Sequence, residues 1–241
     1  MKKLVLTLLI SSFMITAAPA QKYESSGTLK IKKWSVAMYL GWKIGGPSKQ
    51  IEKAMDVYGF NIHTRVGWFD SGKAYPYTNH SIPSWMLSVK YNLKSPFSIR
   101  IAGGMANLGR TNGNKRSLGG DHLISIDYSV FYISPIFSVN PYDIIRIGIG
   151  PSLNFKKARE SSPHAEGAYD EYKDTKLGFI IDLGIRFPRK SILFFELNSQ
   201  FRYVGNAEIG PFNTDPALDA LPKTEVTFDH LFIGGGFGVR F

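Results

Sequence analysis

The last eleven residues, Leu231-Phe-Ile-Gly-Gly-Gly-Phe-Gly-Val-Arg-Phe241, alternate in character along the chain. Every second residue from Leu231 to Phe241 is apolar or glycine, and the last one is aromatic. Successive side chains of a β-strand point to opposite faces, so an alternation of period two predicts a strand with one apolar face. That face must meet either a protein core or lipid, and the rest of the sequence decides between them.

The first twenty residues have the composition of an export signal. Two lysines follow Met1, Leu4–Ala18 is mostly apolar, and Ala20 ends a small-residue site of the kind that a signal peptidase reads. We therefore expect a signal peptide over 1–20, followed by a periplasmic N-terminal segment over 21–31. The sequence has no cysteine, which excludes disulfides, thiolate metal sites and a cysteine nucleophile.

Alternation recurs in eight segments, which predicts eight antiparallel strands. One face of each segment is apolar and contains no Lys, Arg, Asp or Glu. A charge that faces lipid near the middle of a bilayer costs about 2 to 4 kcal/mol, so this separation is expected of a membrane barrel. The opposite face carries the charges, and we predict a lumen ion-pair network of Lys90, Arg100, Asp127, Arg146, Asp182, Arg186, Glu196 and Arg202.

The fourth segment is assigned in the same way. Its apolar residues are expected to face lipid, and its polar residues are expected to face the lumen. The lipid-facing set is Ile124, Ile126, Tyr128, Val130 and Tyr132, and the lumen-facing set is Ser125, Asp127 and Ser129.

Aromatic residues mark both ends of the predicted strands, where their rings would lie at the level of the lipid headgroups. Short connections alternate with long ones, as an up-and-down barrel with both termini on the periplasmic side requires. One belt contains Trp34, Phe97, Tyr132, Phe187 and Phe241, and the other contains Trp42, Trp85, Phe155 and Tyr203.

With this terminal strand and architecture, the chain resembles the OmpA-type small outer-membrane β-barrels over its mature length. The resemblance implies an all-β fold: an eight-stranded antiparallel up-and-down transmembrane β-barrel over 32–241 with long outer loops, in the bacterial outer membrane. It also implies that Phe241, Val239 and Phe237 form the signal read by the barrel assembly machinery. Outer-membrane lipid and lipopolysaccharide are the further expected partners. No motif identifies a functional subfamily.

The first long loop contains two predicted elements. Ile51, Met55 and Tyr58 fall on one face of a helix that we predict over Ser48–Tyr58, and Gly59 supplies its end. The following segment, Phe60–Trp68, has strand-like alternation, and we place it in the loop because a ninth membrane strand would break the even strand count.

The interior of an eight-stranded barrel is just wide enough for side chains to fill it. We therefore predict a plug of ion pairs, with a narrow gated path for small solutes as the alternative. Lys90 and Arg100 are expected to stand opposite each other on neighbouring strands, with Asp127 as the acid that compensates them.

No constellation in the sequence predicts catalysis. The small barrels that modify lipids would require a His-x-Ser arrangement, and none of the five histidines has it. The basic residues behind the net charge of +10 are scattered, so nucleic acid is not an expected partner.

We predict a protein that is not an enzyme and has no cofactor or metal. It is expected to be a structural or interaction protein with an envelope protein partner, as an accessory subunit of an envelope complex. The alternatives are a narrow channel and, less favoured, a lipid-modifying enzyme.

Overall fold

The structure is a computed structural model that describes residues 33–66, 69–70, 83–93, 95–117, 120–141, 144–161, 169–188, 191–211 and 222–241. The expected signal peptide and N-terminal segment lie outside the described residues. Within the described residues no helix has the length and apolar character needed to cross a membrane.

The described parts of the chain contain one helix and twelve strands. In chain order these are β1 (Trp34–Gly45), α1 (Ser48–Val57), β2 (Asn61–Val66), β3 (Phe69–Asp70), β4 (Ser84–Asn92), β5 (Phe97–Ser117), β6 (Gly120–Val139), β7 (Ile145–Ser161), β8 (Tyr169–Phe187), β9 (Leu193–Tyr203), β10 (Asn206–Ile209), β11 (Thr224–Thr227) and β12 (His230–Arg240).

Eight of these described strands close into a barrel. Each of β1, β4 to β9 and β12 pairs antiparallel with its two neighbours around the ring. The last strand, β12, closes the ring on β1 over a register that runs from Ser35↔Arg240 to Gly45↔His230. Closure leaves no unpaired strand edge within the bilayer, where water cannot satisfy backbone groups. The predicted eight-stranded up-and-down barrel is confirmed.

The outward face of the barrel wall is apolar. Leu193, Phe237 and Phe241 are 65%, 75% and 63% exposed, respectively, and they belong to a band that follows the strands around the barrel. An exposed apolar surface of this extent indicates a wall that is embedded in lipid. The predicted lipid faces of β1, β4, β5, β7, β8, β9 and β12 are confirmed at membrane height. The predicted belt residues that lie exposed on this outer wall are Trp34, Trp42, Trp85, Phe97, Phe155, Phe187 and Tyr203.

The predicted orientation of β6 is wrong. Tyr128 and Tyr132 are 1% exposed and face the interior, whereas Phe131 and Phe137 face outward. Tyr132 is therefore not a belt residue. The inward face of β6 contains apolar side chains because it meets an apolar part of the barrel interior. A strand that is apolar on both faces carries no hydrophobicity signal for its orientation.

The barrel wall continues beyond the membrane on its long-loop side. The strands β5 and β6 contain 21 and 20 residues, about twice the 9 to 11 that a membrane crossing requires. Above the stretch where β4 pairs with β5, β2 takes over as the neighbour of β5, from Asn61↔Asn114 to Arg65↔Arg110. The segment assigned to the loop therefore contains a strand, which extends the wall above the membrane without adding a ninth crossing.

The helix α1 begins at the predicted residue and ends one residue earlier than predicted. Ile51 and Met55 are fully buried, and the helix packs against β2, β5 and β11. An added Cβ at the inward-facing Gly113 of β5 would lie 3.0 Å from Met55 Sδ and 3.1 Å from Phe60 Cδ1. Met55 and Phe60 therefore fill the outer end of the barrel interior.

Candidate functional site in the barrel interior

The interior has two layers, and the outer one is mostly apolar, although the buried Lys156 and Glu160 of β7 lie at its edge. It lies under α1 and is lined by buried side chains from the upper parts of β5 and β6 and from β11 and its surroundings. Buried side chains in protein interiors generally pack closely and leave few voids larger than a water molecule. The members of this layer, called the apolar cap below, are Ile51, Met55, Phe60, Leu108, Ile124, Ile126, Tyr128, Val226 and Phe228.

The inner layer, at membrane height, is a chain of alternating charges. Asp182 accepts from Arg100 Nη2 at 2.5 Å and from Arg146 Nε at 2.7 Å. Arg146 also donates to Glu196 through Nη1. Glu196 accepts in addition from Arg186 Nε at 2.9 Å and Nη2 at 2.8 Å. The order Arg100, Asp182, Arg146, Glu196, Arg186 therefore places a carboxylate between every two neighbouring guanidinium groups, and all five side chains are buried.

Neutral side chains complete the hydrogen bonds of this charge chain. Asn198 and Gln200 donate to Asp182 Oδ1 at 2.9 and 2.8 Å. The Tyr39 hydroxyl donates to Glu196 Oε1 at 2.7 Å. Each carboxylate thus accepts several charged or neutral hydrogen bonds, which a buried carboxylate requires to offset its desolvation.

The charge chain crosses the lumen as well as following its wall. Arg100 lies on β5 and its partner Asp182 lies on β8, with β6 and β7 between them in the ring. Tyr39 on β1 reaches Glu196 on β9 across β12. These contacts join strands that are two or three places apart around the ring, so the network braces the barrel from inside.

Arg202 is joined to the network through neutral groups. Its Nη2 donates to Gln200 Oε1 at 2.7 Å, and its Nη1 donates to Ser134 Oγ at 3.0 Å. Its guanidinium carbon lies 3.3 Å from the centroid of the Tyr132 ring. A stacked aromatic face attracts a guanidinium but does not neutralise its charge. Among the described residues no carboxylate pairs with this fully buried arginine.

Lys90 lies at the short-turn end of the interior. The predicted pairing of Lys90 with Arg100 across β4 and β5 is confirmed by their register. Lys90 is 5% exposed, and its Nζ lies 3.4 Å from Asn140 Oδ1. It joins no ion pair that the described residues show.

The prediction that Asp127 belongs to the lumen network is wrong. Asp127 lies on the outward face of β6, above the membrane, where Arg110 Nε and Nη2 donate to its two oxygens at 2.6 Å each. The orientation of β6 explains its place, because Tyr128 next to it points inward. A register shift between Asn107 and Gly109 then brings Arg110 to the same outer face of β5.

Asp127 belongs to a second charged surface, on the outer wall of β5 to β8. Its cationic members, called the outer cationic patch, are Arg110, Lys157, Arg159 and Lys173. Their strand registers place them two or four residue pairs above the lipid-facing Phe131↔Phe155 pair, whose ring centroids are 6.0 Å apart. Hydrogen bonds from Lys157 and Lys173 lower the pKa of Glu171, within this patch, to about 2.

Glycines on the inward face of β12 make room for aromatic rings. An added Cβ at Gly236 would lie 2.5 Å from Tyr39 Cδ1, and one at Gly234 would lie 2.6 Å from Phe232 Cζ. Such distances are shorter than real Cβ contacts, so these rings lie flat against a wall that only glycine permits. Tyr39, Asn198 and Gln200 were not predicted as site residues, although all three occupy inward-facing strand positions.

The five side chains of the charge chain are held in short ion pairs that brace the barrel from inside. Among the described residues no interior contact joins a nucleophile, a base and a group that orients the base. Within the same part of the chain no group of three or more His, Asp or Glu side chains is placed to hold a metal ion.

The same fold is found in small outer-membrane barrel proteins of known structure. A major outer membrane protein from Thermus thermophilus is 12% identical with a TM-score of 0.53, covering 87% of this chain and 98% of that chain. OprG from Pseudomonas aeruginosa is 13% identical with a TM-score of 0.47, covering 87% and 97%. No protein-family model and no curated protein matches the sequence. The chain therefore has the fold of the small outer-membrane β-barrels, and no subfamily is identified.

Proposed function

We propose that this protein is a non-catalytic outer-membrane barrel with a plugged lumen, which acts as a structural or interaction protein through the part that rises above the membrane. The observation that carries the proposal is the occupation of the interior at two levels. A braced charge chain fills the membrane layer, and the apolar cap fills the layer above it. A barrel closed in this way offers its outer surface, rather than its lumen, for function.

The proposed orientation places the long-loop side outside the cell and both termini in the periplasm. Its support is the usual arrangement of such barrels, in which periplasmic turns are short and outer loops are long. Phe237, Val239 and Phe241 all face outward on the last strand, where the assembly machinery would read them before the barrel enters lipid. The first barrel strand begins and the last one ends at the short-turn side, where Trp34 and Phe241 exchange backbone hydrogen bonds of 3.0 Å.

The outer part provides a structured surface for a protein partner, as expected of an accessory subunit of an envelope complex. The buried face of α1 fixes the helix to the barrel, whereas Lys49, Lys53 and Asp56 point to solvent. Val57, at the end of the helix, is 76% exposed. A rigid helix that combines charges with an exposed apolar residue suits recognition of a protein, because little conformational entropy is lost on binding.

The outer cationic patch is suited to the phosphates of lipopolysaccharide. Its four cations outnumber the two neighbouring carboxylates, Asp127 and Glu171, and it lies above the lipid-facing rings of Phe131 and Phe155. Cations at the membrane interface attract anionic lipid. We expect Lys173→Gln to reduce the lipopolysaccharide that copurifies with the barrel, whereas Lys53→Gln on α1 leaves it unchanged.

Photocrosslinking in native outer membranes tests the proposal. A crosslinkable amino acid at Val57 on α1 is expected to trap one envelope protein in stoichiometric yield. The matched control is Leu87, which is 47% exposed on the lipid-facing wall of β4 and is expected to crosslink to lipid. Lipid adducts alone at both positions would refute an interaction role for α1. Unchanged lipid A in a deletion strain, measured by mass spectrometry, would separate this role from lipid modification.

A narrow small-solute channel is the second candidate. The observation that favours it is the excess of buried cations over carboxylates in the interior, which suits the passage of small anions. Conductance measurements in planar bilayers distinguish this candidate from the plugged barrel.

A further inference from the structure

Three basic side chains lie together inside the barrel, just below the apolar cap, and none of them forms an ion pair with a carboxylate of the described residues. They are Lys43 on β1, His230 on β12 and Arg202 on β9. These three strands are consecutive in the barrel wall, and all three side chains point inward. The charge chain does not include any of them.

The strand registers bring these residues close to one another. His230 stands opposite Arg202 on one side and opposite Gly45 on the other. Lys43 is two residues from Gly45 and shares the inward face with His230, so it is the diagonal neighbour of His230. Side chains that are directly opposite have Cβ atoms about 4.5 to 5.5 Å apart, and diagonal neighbours are about 7 to 8 Å apart. The ends of long side chains meet readily over these distances.

Each of the three groups has a nitrogen without a hydrogen-bond partner. These atoms are Lys43 Nζ, Arg202 Nε and His230 Nε2. The side chains are 8%, 0% and 2% exposed, respectively, so bulk water does not solvate them. A buried cation is retained in a protein only when a counter-charge or several hydrogen bonds offset its desolvation. Among the described residues, these three nitrogens therefore lack a directly bonded counter-charge.

We propose that Lys43, Arg202 and His230 form a binding site for a small inorganic oxyanion inside the barrel. The site goes beyond the proposed surface function, and it would stand if the interaction role failed. The bound ion supplies the missing negative charge, and the apolar cap separates it from the outer solution. Lys43 and Arg202 donate to it through the nitrogens that lack partners.

The tautomer of His230 selects the kind of anion. His230 Nδ1 lies 3.0 Å from the carbonyl oxygen of Phe228, so Nδ1 carries the hydrogen and donates. The neutral ring then presents Nε2 as an acceptor. A protonated phosphate has oxygens that accept from Lys43 and Arg202 and a hydroxyl that donates to His230. Chloride and sulfate lack that hydroxyl, so the geometry favours phosphate over both.

Unfolding of the whole barrel in urea, after refolding in detergent with phosphate, sulfate or chloride at equal ionic strength, tests the site. Phosphate is expected to raise the urea midpoint of the wild type saturably, because it binds the folded state. Sulfate and phosphate share a general salting-out effect, so sulfate is the control for that effect and is expected to raise the midpoint less. Lys43→Gln is expected to abolish this phosphate-specific rise. Lys53→Gln makes the same change on the exposed face of α1 and is expected to retain the rise in full.

Several results would overturn the site. An equal phosphate effect in wild type and Lys43→Gln would show a non-specific salt effect, and equal effects of phosphate and chloride would refute oxyanion recognition. If Lys43→Gln does not fold, equilibrium dialysis of the wild-type barrel with radiolabelled phosphate decides the question without a variant. Because the barrel has one proposed site, we expect saturable binding of about one phosphate per barrel. Absence of saturable binding would refute the proposal.

Discussion

Truncation of Glu196 to alanine is expected to destabilise the barrel strongly. Glu196 is 1% exposed and accepts hydrogen bonds from Arg146, Arg186 and Tyr39. After truncation Arg146 keeps its ion pair with Asp182. Arg186 loses both of its hydrogen bonds to a carboxylate and keeps the Phe194 ring, whose centroid lies 4.1 Å from its guanidinium carbon.

The magnitude follows from these contacts. Removing one partner of a buried ion pair costs about 3 to 5 kcal/mol, because the other charge is left uncompensated. The remaining ring contact and the 8% exposure of Arg186 reduce this cost, so we expect about 3 kcal/mol. The Tyr39 hydroxyl also loses its acceptor, which adds to the loss in the same direction.

Urea unfolding of the detergent-refolded barrel, followed by tryptophan fluorescence, measures this change. Glu208→Ala is the matched control because Glu208 is exposed on β10, and its effect is expected to stay within about 0.5 kcal/mol. Equal stability of Glu196→Ala and Glu208→Ala would refute the reasoning, because it would mean that water replaces the carboxylate in a hydrated lumen.

Three further predictions concern the ends and the seam of the barrel. Replacing Phe241 by Asp should lower the amount of assembled barrel in outer-membrane fractions far more than replacing Arg240 by Asp, because the terminal ring faces lipid; equal losses would contradict the assigned faces. Gly236→Ala should lower the urea midpoint because the added methyl group meets the overlying Tyr39 ring, whereas Gly235→Ala meets only a flexible lipid-facing ring; equal midpoints would refute the packing argument. The lowered pKa of Glu171 means that its ion pairs contribute fully above the ordinary carboxyl pKa and are lost as the pH falls towards about 2. The difference in urea midpoint between wild type and Glu171→Gln should therefore be nearly the same at pH 7 and pH 5 and should shrink as the pH falls from about 4.5 to about 2; a difference that already shrinks between pH 7 and pH 5 would contradict the lowered pKa.

The strands, most of their faces and the helix could be predicted from the sequence because a membrane imposes a strict pattern. Lipid excludes charge from one face of every strand, so five or six alternating positions specify each orientation. The terminal strand, with glycine at Gly234, Gly236 and Gly238 and apolar or small residues at the positions between them, follows this rule and is placed correctly. The helix is found within one residue because Ile51 and Met55 repeat at helical spacing and Gly59 ends it.

The orientation of β6 and the partners of the charges could not be predicted. Tyr128 and Tyr132 are apolar enough for lipid and also for the interior, and no local rule separates these two environments. The partner of Arg100 depends on the tilt and stagger of strands that are far apart in sequence. In the sequence, Asp127 and Asp182 each occupy a polar position of an alternating segment, so either could be expected to pair with Arg100. The closed barrel shows that Asp182 pairs with Arg100.

Single-channel recording of the wild-type barrel in planar bilayers tests the plugged lumen most directly. The charge chain and the apolar cap leave little room for a continuous water column, so we expect the folded barrel to insert without steady conductance, even at low pH or high voltage. Heat-dependent migration on gels would verify in the same sample that the barrel is folded, because a closed barrel resists unfolding in detergent until it is boiled. Steady conductance from folded barrels, with selectivity for anions, would contradict the plug and establish the narrow channel in its place.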